Sequence, residues 1–170
     1  MINYNRSTGR RTDYNDVYEK TFECEKIVSI SGLYDHGDDF SITPNTQYFG
    51  VKIVTENHII RAYISPERDC CERYGAMLSQ DDLSEYVGSE LRKIYLTNTA
   101  LKTEHISYIR AEKSSSTEYD NIQFINFETG KGTFQLTVYN CDNVYYGHDI
   151  VIRIDDTVEY RKTASGDEGW

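Results

Sequence analysis

The sequence predicts a mainly β domain of the α+β type: an antiparallel sheet of about eight strands, built from hairpins and a meander, with one short helix near residues 80–87. Three observations predict it. Apolar residues alternate with polar ones in several short runs, the two-residue period of a half-buried strand. Tyr occurs 15 times against a single Trp, and Tyr suits pleated, half-buried surfaces. One segment alone combines a helix cap, an apolar helical face and a glycine stop.

Taken in order, residues 1–20 are polar and aperiodic and read as a flexible arm. Phe22, Cys24, Val28 and Ile30 then alternate, interrupted by Lys26, which predicts a strand with those side chains inward. Gly32 closes it, and Asp35-His36-Gly37-Asp38-Asp39 reads as a solvated loop. Phe49, Val51 and Ile53 mark a second strand, Glu56-Asn57 a tight turn, and residues 59–64 the hairpin partner. Pro66 ends that strand. Ser79 and Asp82 form an S-x-x-D capping box, Leu83, Tyr86 and Val87 share one helical face, and Gly88 supplies the left-handed stop.

Residues 91–96 return to extended structure, and residues 105–110 add a further strand. Residues 122–127 and 133–139 flank Thr129-Gly130-Lys131-Gly132 as a hairpin with a glycine-rich turn. Ile150, Ile152 and Ile154 mark a returning strand that completes a three-stranded meander. Residues 157–170 lack periodicity and read as a mobile acidic tail, which leaves residues 21–156 as a single β-rich domain.

The formal charge is −10, from 28 acidic and 18 basic residues. Such a field repels phosphate backbones and anionic membranes, so direct nucleic-acid or membrane binding is disfavoured. It suits a basic partner, including a host protein that itself binds nucleic acid. No apolar window approaches membrane-spanning length, and the opening MINYNRSTGRR lacks the apolar core of a signal peptide. The 4 cysteines then read as reduced thiols in a cytosolic setting, and the Asn5-Arg6-Ser7 sequon carries no meaning.

No G-x-G-x-x-G, P-loop, H-E-x-x-H or G-x-S-x-G signature occurs. Two segments stand out instead. The first is Asp69-Cys70-Cys71-Glu72, flanked by Arg68 and Arg73. Neighbouring cations lower a thiol pKa, and Cys, Asp and Glu ligate metals. Against both, adjacent strand residues face opposite ways, and zinc sites favour cysteines spaced two to four residues apart. A buried thiol, a metal site and a nucleophile therefore stand as alternatives, with no cofactor expected. The second segment, Tyr139-Asn140-Cys141-Asp142-Asn143-Val144-Tyr145-Tyr146-Gly147-His148, joins turn-forming residues to aromatics and a histidine. Tyr139, Asn140, Asn143, Tyr145, Tyr146 and His148, with Arg68 and Arg73, are its candidate contact residues. Aromatic and amide groups together stack on a flat ligand or anchor a protein partner; the alternative is plain packing. The acidic pairs at 38–39, 81–82 and 155–156 read as structural.

D-C-C-E (69–72), D-D-L-S-E-Y-V-G (81–88), F-x-x-x-x-T-G-K-G (124–132) and Y-N-x-x-N-x-Y-Y-G-H (139–148) occur here in that order. In this the chain resembles a family of small domains encoded mainly by bacteriophages, prophages and large DNA viruses. The resemblance spans residues 22–155, and Val144 departs from it where the family carries Gly. It implies a viral origin and transfers no activity.

The expectation is a non-enzymatic viral accessory protein that binds and blocks a host factor, or sequesters a host small molecule, in the host cytoplasm. Its partner is then a host protein or a small-molecule ligand, with homo-oligomers possible. One alternative is a minor structural or assembly protein of the virion. The other is a thiol- or metal-dependent enzyme.

Overall fold

A computed structural model describes residues 2–5, 10–13, 18–33, 39–40, 49–64, 74–112, 121–140 and 148–164. Twelve strands run through them in chain order: Ile2–Asn5 (β1), Arg10–Asp13 (β2), Glu19–Leu33 (β3), Asp39–Phe40 (β4), Gly50–Thr55 (β5), Ile59–Ile64 (β6), Tyr74–Leu78 (β7), Glu90–Thr97 (β8), Asn121–Thr129 (β9), Gly132–Asn140 (β10), His148–Ile154 (β11) and Thr157–Ala164 (β12). One α-helix, Thr103–Glu112 (α1), lies between β8 and β9. The fold is mainly β, as the alternation predicts.

Nine strands form one open antiparallel path in the order β12-β11-β6-β5-β3-β8-β9-β10-β7, with β4 added to β3. The fifteen-residue β3 is the corner of this path. Its first half bonds to β8 from Glu19 to Lys26, and its second half bonds to β5 from Ile27 to Leu33. A bulge between Thr21 and Glu25 bends it, with Cys24 in the left-handed region at φ 50°. The sheet folds back at this corner, so that β7 and β10 reach β5 and β6.

The core lies between the two halves. On one side Val51, Ala62 and Ile152 stand in register across three strands, with Ile53, Ile60 and Ile154 beside them. On the other, Phe127 and Phe134 stack with ring centroids 4.8 Å apart, next to Ile125, Leu136 and Val138. Each such side chain contributes about 2 kcal/mol by leaving water.

The structure departs from the sequence-based expectation at five places. Residues 80–87 do not form the helix; Ser84–Tyr86 make a single 3-10 turn, with Asp82 Oδ1 accepting from the Ser84 amide at 2.8 Å. Ser79 caps no helix either, because its hydroxyl accepts from the Gln135 amide at 2.9 Å on a neighbouring strand. Gly88 does take the left-handed conformation, at φ 86°. The helix falls instead on α1, where a strand was predicted: His105 and Ile109, one turn apart, are both buried.

Third, β11 does not return beside β10 to complete a meander; it pairs with β6 and β12. Fourth, the expected flexible arm and mobile tail contain paired strands, β1 with β2 and β12 with β11. Fifth, the predicted inward set of β3 fails at Cys24, which is exposed, and at Val28, 55% exposed, while Glu25 and Ile27 turn inward. Two register shifts, at Thr21/Glu25 and Ile27/Ser29, invert the parity that alternation assumes.

Candidate functional site

The candidate segments join the sheet at one place. Residues 65–73 run from the end of β6 to the start of β7, and residues 141–147 run from the end of β10 to the start of β11. Tyr74 and Asn140 are register partners in the β7–β10 ladder, and Ile64 and Ile150 are partners in the β6–β11 ladder. Both segments therefore leave and rejoin the sheet on neighbouring strands. Arg68, Asp69, Cys70, Cys71, Glu72, Arg73, Asn143, Tyr145 and Tyr146 lie outside the described residues, as do the side chains of Asn140 and His148.

The anchors around this place are aromatic. The Tyr74 ring stacks on Phe49 with centroids 5.5 Å apart and planes inclined by 27°. Phe49 is itself tied on both sides: its amide donates to Leu33 O at 2.8 Å, and its carbonyl accepts from the Ile64 amide at 2.9 Å. Tyr139 stands opposite Gly75. A Cβ on Gly75 would meet the Tyr139 hydroxyl oxygen at 3.0 Å, so the absent side chain lets the tyrosine ring lie across β7. Tyr139, one of the residues singled out as a contact candidate, packs here against Gly75.

A second polar cluster, which sequence reasoning missed, lies at the β3 bulge. The buried Glu25 carboxylate accepts from the Thr55 hydroxyl at 2.6 Å and from His58 Nδ1 at 2.8 Å through the same oxygen. Thr55 Oγ1 also accepts from the His58 amide at 2.9 Å, which closes the β5–β6 turn. The carboxylate sits between hydroxyl and imidazole, so the hydroxyl does not face the base as a nucleophile would. The only sequence signal was Thr55 three residues before His58 at a turn; the inversion that buries Glu25 was invisible.

The outer face of the β9–β10 half is covered by residues 98–109 over a buried polar layer. Gln135 donates to Thr99 O at 2.9 Å and to Asn126 Oδ1 at 2.7 Å, and its Oε1 accepts from the Leu101 amide at 2.9 Å. His105 Nδ1 lies 3.2 Å from the buried Thr137 hydroxyl. Burial, then the Lys102 charge, pull the His105 pKa below its ordinary 6.5 against the opposing pull of Glu104 and Asp81. At the sheet's other end, burial and then Glu159 push the Tyr18 pKa up to about 12. Among the described residues, no three His, Cys, Asp or Glu side chains group to hold a metal ion. Nor is any described helix long and apolar enough to cross a membrane.

With this geometry in place, comparison with known proteins places the chain. A family model matches residues 15–152, which take in the whole path from β3 to β10 and most of β11. The chain belongs to the family described as a domain of unknown function, DUF7448. The DUF7448 match thus includes the β3 corner, the Glu25 cluster and both candidate segments, and leaves β12 outside. No curated protein and no solved structure matches the chain.

Proposed function

We infer that this DUF7448 domain is a non-enzymatic binding protein whose contact surface is built on residues 65–73 and 141–147. The observation that supports this reading is their shared anchorage at the Tyr74–Asn140 register pair. A stacked Phe49–Tyr74 pair and a Tyr139 packed on Gly75 hold that anchorage independently of the segments themselves. Rigid strands that carry polar, aromatic connections are the usual build of a recognition surface. The Thr55–Glu25–His58 arrangement favours the same class, since it ties a turn to a bulge rather than aligning a nucleophile with a base. The phage resemblance makes the partner a host protein or a host small molecule, and the role that of an accessory protein that blocks or sequesters it in the host cytoplasm.

Native mass spectrometry of the protein purified from its host, with and without Asn143→Ala and Tyr145→Ala, tests this. A co-purifying species should be present in the parent protein. In the double variant, stability should change by no more than about 1 kcal/mol while affinity falls by about 2 kcal/mol or more. Unfolding of the variant would instead make these residues core, and an undiminished complex would move the contact surface elsewhere.

A further inference from the structure

The face of β5, β6 and β11 that points away from the core carries a row of cations. Val51, Ile53, Ile60, Ala62, Ile152 and Ile154 face inward, so Lys52, Arg61 and Arg153 face outward on the same three strands. Their registers coincide: Lys52 pairs with Arg61, and Arg61 pairs with Arg153. Neighbouring strands lie about 4.8 Å apart, so three positive side chains stand side by side across about 10 Å of sheet. Like charges directly opposite one another destabilise a sheet, and the protein as a whole carries −10. A cationic row here is therefore not a sample of the average surface.

Among the described residues, the nearby acids do not neutralise its two arginines. Asp155 uses Oδ1 to accept from the Ile59 amide at 2.9 Å, and Asp156 offers Arg153 only its backbone carbonyl, at 3.4 Å. Neither Arg61 nor Arg153 forms an ion pair with a carboxylate among the described residues. Arg153 also holds its Nε buried with no hydrogen-bond partner, a donor whose desolvation is uncompensated in the protein alone. The two arginines on adjacent strands and the orphaned donor together describe a seat that lacks its acceptor.

We propose that the Lys52–Arg61–Arg153 row binds a phosphoryl group of a small molecule. A tetrahedral dianion supplies several acceptor oxygens to donors that diverge from adjacent strands, and guanidinium groups match it with paired N–H bonds. A compact anion is favoured over a nucleic acid, because a long polyanion would also meet the acidic remainder of the surface. The row shares no residue with the contact surface inferred above, so either reading survives the failure of the other.

Thermal unfolding of the full chain at fixed ionic strength, titrated with inorganic phosphate, pyrophosphate or chloride, tests it. Pyrophosphate should raise the melting temperature saturably, with an apparent affinity about tenfold weaker in Arg61→Gln and unchanged in Arg92→Gln, on the other half of the sheet. Without the anion, Arg61→Gln should melt at or above the parent, since it relieves repulsion. Arg153→Gln should weaken binding similarly, but Arg61→Gln alone suffices if that variant fails to fold. Stabilisation no greater than by chloride, or equal in Arg61→Gln, overturns the site. So does an anion-free Arg61→Gln that melts below the parent, which would make the row structural. A single-stranded oligonucleotide that binds more tightly than pyrophosphate would overturn the choice of a small ligand.

Discussion

His58 Nδ1 and Glu25 meet at 2.8 Å across 33 residues of chain, and this contact joins the bulge of the longest strand to the turn of a neighbouring hairpin. The same carboxylate oxygen takes the Thr55 hydroxyl, so one buried group holds two elements in place.

Replacing Glu25 with Ala leaves that hydroxyl and imidazole without their acceptor and should cost about 2–3 kcal/mol in urea unfolding. Glu25→Gln keeps an acceptor oxygen and should cost about 1 kcal/mol. Equal losses for the two would mean that the negative charge, rather than the acceptor geometry, holds the bulge.

Gln135 is fully buried and serves Thr99, Leu101 and Asn126 at once. Gln135→Leu preserves volume but strands an amide and two carbonyl oxygens, and should destabilise by about 3 kcal/mol. Ser79→Ala, which removes only the acceptor for the Gln135 amide, should cost about 1 kcal/mol. Denaturant midpoints of the two variants decide this, and a smaller loss for Gln135→Leu would mean that the segment before α1 is held by other contacts.

His105 is buried with its pKa below 6.5, so the folded form resists a proton that the unfolded chain accepts. Its contribution is intact above pH 6.5 and declines as the pH falls below that value, because the unfolded state then binds more protons. Melting temperature should therefore drop on acidification, and His105→Gln should flatten that part of the profile. An unchanged slope would assign the acid sensitivity to other groups.

These residues also mark where the sequence was legible. The strands β5, β6, β8, β9, β10 and β11 follow from alternation, because each turns a set of apolar side chains into the core over most of its length. In β3 the same reasoning fails, because two register shifts exchange Val28 for Ile27 and bring Glu25 inside. Bulges depend on the neighbouring strand, which the local pattern does not contain. In α1, two isoleucines and a tyrosine within a short run imitate a strand, while the buried pair His105 and Ile109 keeps helical spacing. The candidate segments were found from composition, but their common anchorage was not, since a pairing between Tyr74 and Asn140 is a property of strand order. The cationic row was hidden for the same reason: Lys52, Arg61 and Arg153 are far apart in sequence and become neighbours only through register.

The bent β3 has one more consequence. Its amides and carbonyls before the corner belong to the β8 ladder and those after it to the β5 ladder. One continuous strand therefore joins the two halves of the sheet. Amides of Ile53 and Phe127, though in opposite halves, should then show similar protection in native-state hydrogen exchange.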